Sequence, residues 1–122
     1  MDETRGPDNS NAEFDFSVLS ERLMNDEDMV KEVISVFLED TPKEIVSLRD
    51  ALSLKDAEKV RNVAHSVKGA AGSIGASSLQ ELARQLECAG KGGDIGLADS
   101  IFSQFEKEFD RLRTILEKKI NE

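Results

Sequence analysis

The chain contains a single histidine, His65, set among residues that suit one kind of chemistry. Successive residues of a helix advance about 100° around its axis. On that count Val60, Val63, Val67 and Ile74 gather on one side of the segment, and the imidazole falls nearly opposite them, facing outward. Arg61, Lys68, Gly69 and Gly72 lie within about 60° of it by the same count. A neutral imidazole nitrogen is a good nucleophile near neutral pH, its ordinary pKa being about 6.5. It can attack an aspartyl phosphate and hold the phosphoryl group as a phosphoramidate. Such a transfer asks for positioning and charge compensation more than for elaborate acid–base machinery. Lys68, one helical turn on, is in reach of the phosphoryl oxygens. Gly69 leaves out a side chain where another surface must come close. A glycine within a helix costs about 1 kcal/mol relative to alanine, so Gly69 and Gly72 both ask for a reason, and close helix packing competes for Gly72. A lone histidine is ordinarily a surface or core residue of no special role. Here that view must also account for a basic, glycine-bordered patch on a chain of formal net charge −9.

Helices must position these residues. Ala, Leu, Glu and Lys dominate the middle of the chain and only two prolines occur, a mixture that favours helix. Residues 1–13, rich in Asp, Asn, Gly and Pro, read as a disordered lead-in. The domain proper is expected over residues 14–122. It opens on a short helix with Phe14, Phe16, Val18, Leu19, Leu23 and Met24 packing on the rest. Asn25 or Asp26 can cap the next helix, with Glu27 and Asp28 at its positive end. Val30, Ile34, Phe37, Thr41, Ile45, Leu48 and Leu52 then recur at steps of three and four. The phase carries through Pro42, so one long kinked helix or two abutting helices are expected. Asp56 opens the histidine helix, whose inner face is Val60, Val63, Ala64, Val67, Ala71 and Ile74, and the Gly72–Gly75 region ends it. Ser77 with Gln80, or Ser78 with Glu81, has capping-box spacing before a helix that buries Leu79, Leu82, Ala83 and Leu86 and stops at Gly90, Gly92 and Gly93. A last helix from about Gly96 to Ile120 turns Leu97, Ile101, Phe105, Phe109, Leu112 and Leu116 inward. The fold class expected is all-α: an antiparallel four-helix bundle with a short additional N-terminal helix.

The stretch His65-Ser66-Val67-Lys68-Gly69-Ala70-Ala71-Gly72-Ser73-Ile74-Gly75 resembles the signature of histidine phosphotransfer (HPt) domains. The family's motif sets Lys and Gly directly after His-x-x, then small residues, then an apolar residue and Gly. Each of those positions matches. The resemblance runs from about Phe16 to the C-terminus. The Phe37-Leu38-Glu39-Asp40-Thr41-Pro42 segment and the Leu79-to-Leu86 helix look like the family's flanking helices. It implies an antiparallel four-helix bundle with an exposed phosphorylatable histidine, relaying between aspartates of receiver domains. Carried over, His65 is the phosphoacceptor, Lys68 steadies the phosphoryl group and Gly69 gives the receiver clearance. A Gln or Glu on the neighbouring helix commonly hydrogen-bonds the other imidazole nitrogen in the family, and the position here is Glu87. Accepting from Nδ1, it would fix the tautomer that leaves Nε2 free to attack. Arg61, Arg84 and Lys91 are candidates to add positive potential around the site, and Gly72 to border the partner surface.

Other functions fit less well. The net charge of −9 argues against unspecific nucleic-acid binding. No run approaches the roughly 18 apolar residues of a membrane span, and the acidic start does not read as a secretory signal. Cys88 is the only cysteine, which excludes an internal disulfide and fits a reducing cytoplasm. The glycines around residue 72 close a helix rather than follow a strand, so they are no nucleotide loop. No kinase motif set is present. The chain is therefore expected to need no cofactor of its own, with Mg²⁺ held by the receiver partner, and to be a monomer. Its expected partners are response-regulator receiver domains and a hybrid sensor kinase. The alternatives are a helical adaptor that binds a receiver without being phosphorylated, or the phosphoacceptor domain of a larger hybrid or chemotaxis-type kinase.

Overall fold

The computed structural model describes residues 14–122, and the expected lead-in lies outside the described residues. They form five helices and no strand: α1 Phe16–Arg22, α2 Glu27–Ser53, α3 Ala57–Ile74, α4 Ser77–Lys91 and α5 Ile95–Ile120. The four long helices run antiparallel in chain order. α2 packs on α3, α3 on α4, α4 on α5, and α5 closes on α2, while α1 lies against α2 and α3. All seven apolar-phase positions read for α2 are buried. The helix continues through Pro42 as one element.

The turns share one construction. A residue of positive φ stands in the turn after each of the first four helices: Met24 (57°), Lys55 (55°), Gly75 (81°) and Gly93 (74°). The amide of the residue after it returns to a carbonyl of the last turn: Asn25 to Ser20 at 2.7 Å, Asp56 to Ala51 at 2.8 Å, Ala76 to Ala71 at 2.8 Å and Asp94 to Ala89 at 2.9 Å. An aspartate then caps the next helix. Asp26 accepts from the Met29 amide, Asp56 from Lys59 and Asp94 from Leu97, satisfying amides that have no partner within the helix.

The α3–α4 turn is the exception. The expected capping boxes from Ser77 and Ser78 do not form, because both serines already lie inside α4. The cap position is Ala76, which makes no side-chain cap bond. Its turn is so short that residue 76 is drawn into the core, 4 % exposed, where a hydroxyl or carboxylate would lose water. Other expectations also shift. Val63 and Leu82 are only half-buried, and Val18, Met24 and Leu97 are exposed. Met24 lies on a turn after α1 has ended, and Leu97 on the outward side of the first turn of α5. Gly90 does not stop α4; it is a buried residue of that helix, which ends one residue later and is closed by Gly92.

Candidate functional site

The Asp56 cap starts α3 and its core face, Val60, Ala64, Val67, Ala71 and Ile74, is buried. That fixes the rotation of the helix and turns His65 outward, its side chain 69 % exposed. α4 is aligned beside it by Leu79, Ala83, Leu86 and Ala89. This brings Glu87 against the histidine from the neighbouring helix. Glu87 Oε2 lies 2.8 Å from His65 Nδ1, and Glu87 Oε1 lies 2.7 Å from Lys68 Nζ. One carboxylate thus holds two residues of α3 that are a turn apart.

The charge state of that carboxylate follows from its neighbours. A hydrogen bond from Lys68 foremost, with a second from His65, holds the Glu87 carboxyl below its usual range, against the opposing effect of desolvation. An ionised carboxylate only accepts hydrogen bonds, so Nδ1 must be the nitrogen that carries the proton and donates. Nε2 of the neutral ring is then a free lone pair. Among the described residues nothing hydrogen-bonds it.

The remaining predicted positions divide. A Cβ built on Gly69 meets nothing within 4 Å, so the fold has no steric need of glycine there. Gly72 is two turns from His65, and a Cβ there would meet Gln80 Nε2 at 2.5 Å, the end of a flexible side chain. Its carbonyl accepts from Arg22 of α1 at 2.8 Å, so it belongs to the α1 end of the molecule rather than to the histidine. Arg61 and Lys91 do join the site, lining with Asn62, His65 and Glu87 an open cleft of about 300 Å³. Arg84 does not. It pairs with Glu81 on its own helix at 2.6 Å, holding that carboxyl down to about 2, and lines a different groove between α4 and α5. Two contributors went unread in the sequence. Asn62 had no distinguishing signal. Gly90 had one: it continues the Ala83–Leu86 phase by steps of three and four, which marks an inner-face position.

A family model described as Hpt domain matches residues 32–115, a stretch that holds His65, Lys68, Gly69 and Glu87. The chain belongs to the Hpt domain family. Its Hpt fold also superposes on the crystal structure of histidine-containing phosphotransfer protein B (HptB) from Pseudomonas aeruginosa PAO1. The TM-score is 0.82 at 29 % identity, covering 88 % of this chain and 93 % of that one. None of the curated proteins compared with it matches. Membership of the Hpt family makes histidine phosphotransfer in two-component signalling its function. Within the described residues no helix is long and apolar enough to cross a membrane.

Proposed function

We propose that the chain relays a phosphoryl group between aspartates of receiver domains by way of phospho-His65. The observation that carries this reading is the exposed imidazole whose Nδ1 is engaged by Glu87 at 2.8 Å, with Nε2 unbonded among the described residues. In the forward step the Nε2 lone pair attacks the phosphorus of an aspartyl phosphate. An N–P bond forms as the P–O bond breaks, and the electron pair leaves with the aspartate carboxylate. The ring then carries positive charge while Nδ1 keeps its proton. Glu87 stands where that charge develops, so it offsets it as well as fixing the tautomer. Lys68, one turn along α3 from His65, supplies an ammonium for the phosphoryl oxygens, and Gly69 clears space for the receiver's approach. Transfer to a second receiver runs the same step in reverse. Arg61 and Lys91 face the incoming acidic site of the receiver, which holds any Mg²⁺ the transfer requires. The donor receiver belongs to a hybrid sensor kinase and the acceptor to a response regulator.

The test is incubation with a phosphorylated receiver, following acid-labile phosphate on this chain. Label is expected on the wild-type protein and none on His65→Ala. Label persisting on His65→Ala would overturn the site assignment, and no label with any receiver tried would favour a non-phosphorylated adaptor.

A further inference from the structure

At Gly90 the backbone of α3 lies close against α4, at a point that is not part of the phosphotransfer chemistry. A Cβ added at Gly90 would lie 2.8 Å from the Arg61 backbone nitrogen, 2.9 Å from the Ala57 carbonyl oxygen and 3.1 Å from Arg61 Cα. These are backbone atoms, so no rotamer change relieves the contact; the helices themselves must part. Gly69 and Gly72 differ in kind, since one faces open space and the other a movable glutamine side chain.

We propose that Gly90 is a positioning residue: its missing side chain sets the α3–α4 separation at which one carboxylate, Glu87, holds both His65 and Lys68. The places in the two helices make the link. Ala57, Arg61 and His65 follow one another at single-turn intervals along α3, and Gly90 sits against the first two of them. Glu87 is one turn back along the antiparallel α4, which carries it toward His65. A flexible glutamate with one partner would follow a small helix displacement. Glu87 has two partners, at 2.8 Å and 2.7 Å on different oxygens, and cannot reach after one without loosening the other. The effect on phosphotransfer rests on the function proposed above; the effect on the ring does not.

The experiment is long-range ¹H–¹⁵N NMR of the His65 ring in the whole chain at alkaline pH. The wild type is expected to show a protonated-type Nδ1 and an unprotonated-type Nε2. In Gly90→Ala the two shifts should converge, and transfer from a phosphorylated receiver should slow roughly ten- to hundredfold. Leu116→Ala, a core truncation on α5 outside the α3–α4 hairpin, should lose stability and keep the wild-type tautomer. Glu87→Asp withdraws the carboxylate by one methylene with the backbone unchanged. It should reproduce the convergence, and if Gly90→Ala does not fold, wild-type ring shifts in Glu87→Asp still overturn the proposal. Wild-type ring shifts in a folded Gly90→Ala, or in Glu87→Asp, would overturn the proposal. So would convergence in Leu116→Ala. Ring changes as expected, in a protein that no receiver phosphorylates, would sink the proposed function and leave the positioning role standing.

Discussion

Replacing Glu87 by glutamine preserves its shape and removes its charge, and the structure predicts an outcome worse than simple weakening. Both carboxylate oxygens accept, one from His65 at 2.8 Å and one from Lys68 at 2.7 Å. An amide has one accepting oxygen and an NH₂ that only donates, while the lysine ammonium has no acceptor at all. Turning the amide oxygen toward Lys68 therefore sets the NH₂ against Nδ1. That contact is a hydrogen bond only if Nδ1 gives up its proton and Nε2 takes one. The opposite orientation keeps the useful tautomer but leaves Lys68 unpaired. Hydrogen bonds to charged groups contribute about 1.5–3 kcal/mol against about 0.5–1.5 for neutral pairs, a margin of about 1 kcal/mol for the inverting orientation. At room temperature that margin is about fivefold in population, so roughly one ring in six remains competent and transfer slows about sixfold. The assay pairs the rate of phosphate uptake from a phosphorylated receiver with the ¹⁵N shifts of the ring. Adding Lys68→Met to Glu87→Gln removes the competitor, so either amide orientation makes one neutral hydrogen bond and the Nδ1–H fraction should rise above that of Glu87→Gln alone. An unaltered tautomer in Glu87→Gln, or no such rise in the double variant, would refute this account.

Three further outcomes follow from the geometry of these helices. Gly69→Ala meets open space and removes a mid-helix glycine, so it should raise stability by about 1 kcal/mol. Gly69→Trp should fold as well yet lose receiver affinity, which denaturant titration and calorimetry would show; a destabilised Gly69→Ala would contradict the reading of that surface. Glu87 is held below the usual carboxylate value of 4.5 by Lys68 and then His65. Its contribution to stability is therefore complete above that value and disappears as pH falls through its lower folded one. A ¹³C carboxyl titration should give a midpoint below 4.5 that rises in Lys68→Ala, and a wild-type midpoint above it would be wrong for this site. Lys55 holds a φ of 55°, a conformation that costs a side-chain-bearing residue roughly 1 kcal/mol. Lys55→Gly should recover about 0.5 kcal/mol after glycine's larger unfolded-state entropy is subtracted, detectable as a raised denaturation midpoint and refuted by a lowered one.

The elements were legible where burial alone decides. The α2 phase from Val30 to Leu52 survives Pro42 because the packing of one continuous apolar stripe outweighs one missing backbone hydrogen bond. The Asp26 and Asp56 caps were equally readable, since an aspartate before an amphipathic run has a local partner. The Asp94 cap starts α5 one residue before the glycine expected to open it. Failures came where a residue's role depends on another helix. Ser77 had capping spacing, yet the short turn buried Ala76 and took the serines into α4. Gly90 read as a stop because one sequence cannot reveal an opposing backbone 2.8 Å away. The charge of Arg84 suggests a place beside the histidine, whereas its i−3 carboxylate Glu81 claims it. At the site, His65 and Lys68 were placed by helical count alone. The contact of Glu87 with Lys68 was not, since it depends on the relative heights of two helices.

The turn between α3 and α4, only Gly75 and Ala76, makes the proposed transfer site a product of one helical hairpin. His65 and Glu87 stand 22 residues apart in the chain, so their meeting requires only a short loop closure, among the least costly long-range contacts a bundle can make. The apparatus is therefore a detachable inheritance. α1, α2 and α5 supply the floor against which the hairpin is held, and their outward faces are free to change sequence, charge and attachment without disturbing the geometry at the histidine. A lineage could vary what surrounds such a hairpin widely and still pass on the same transfer site.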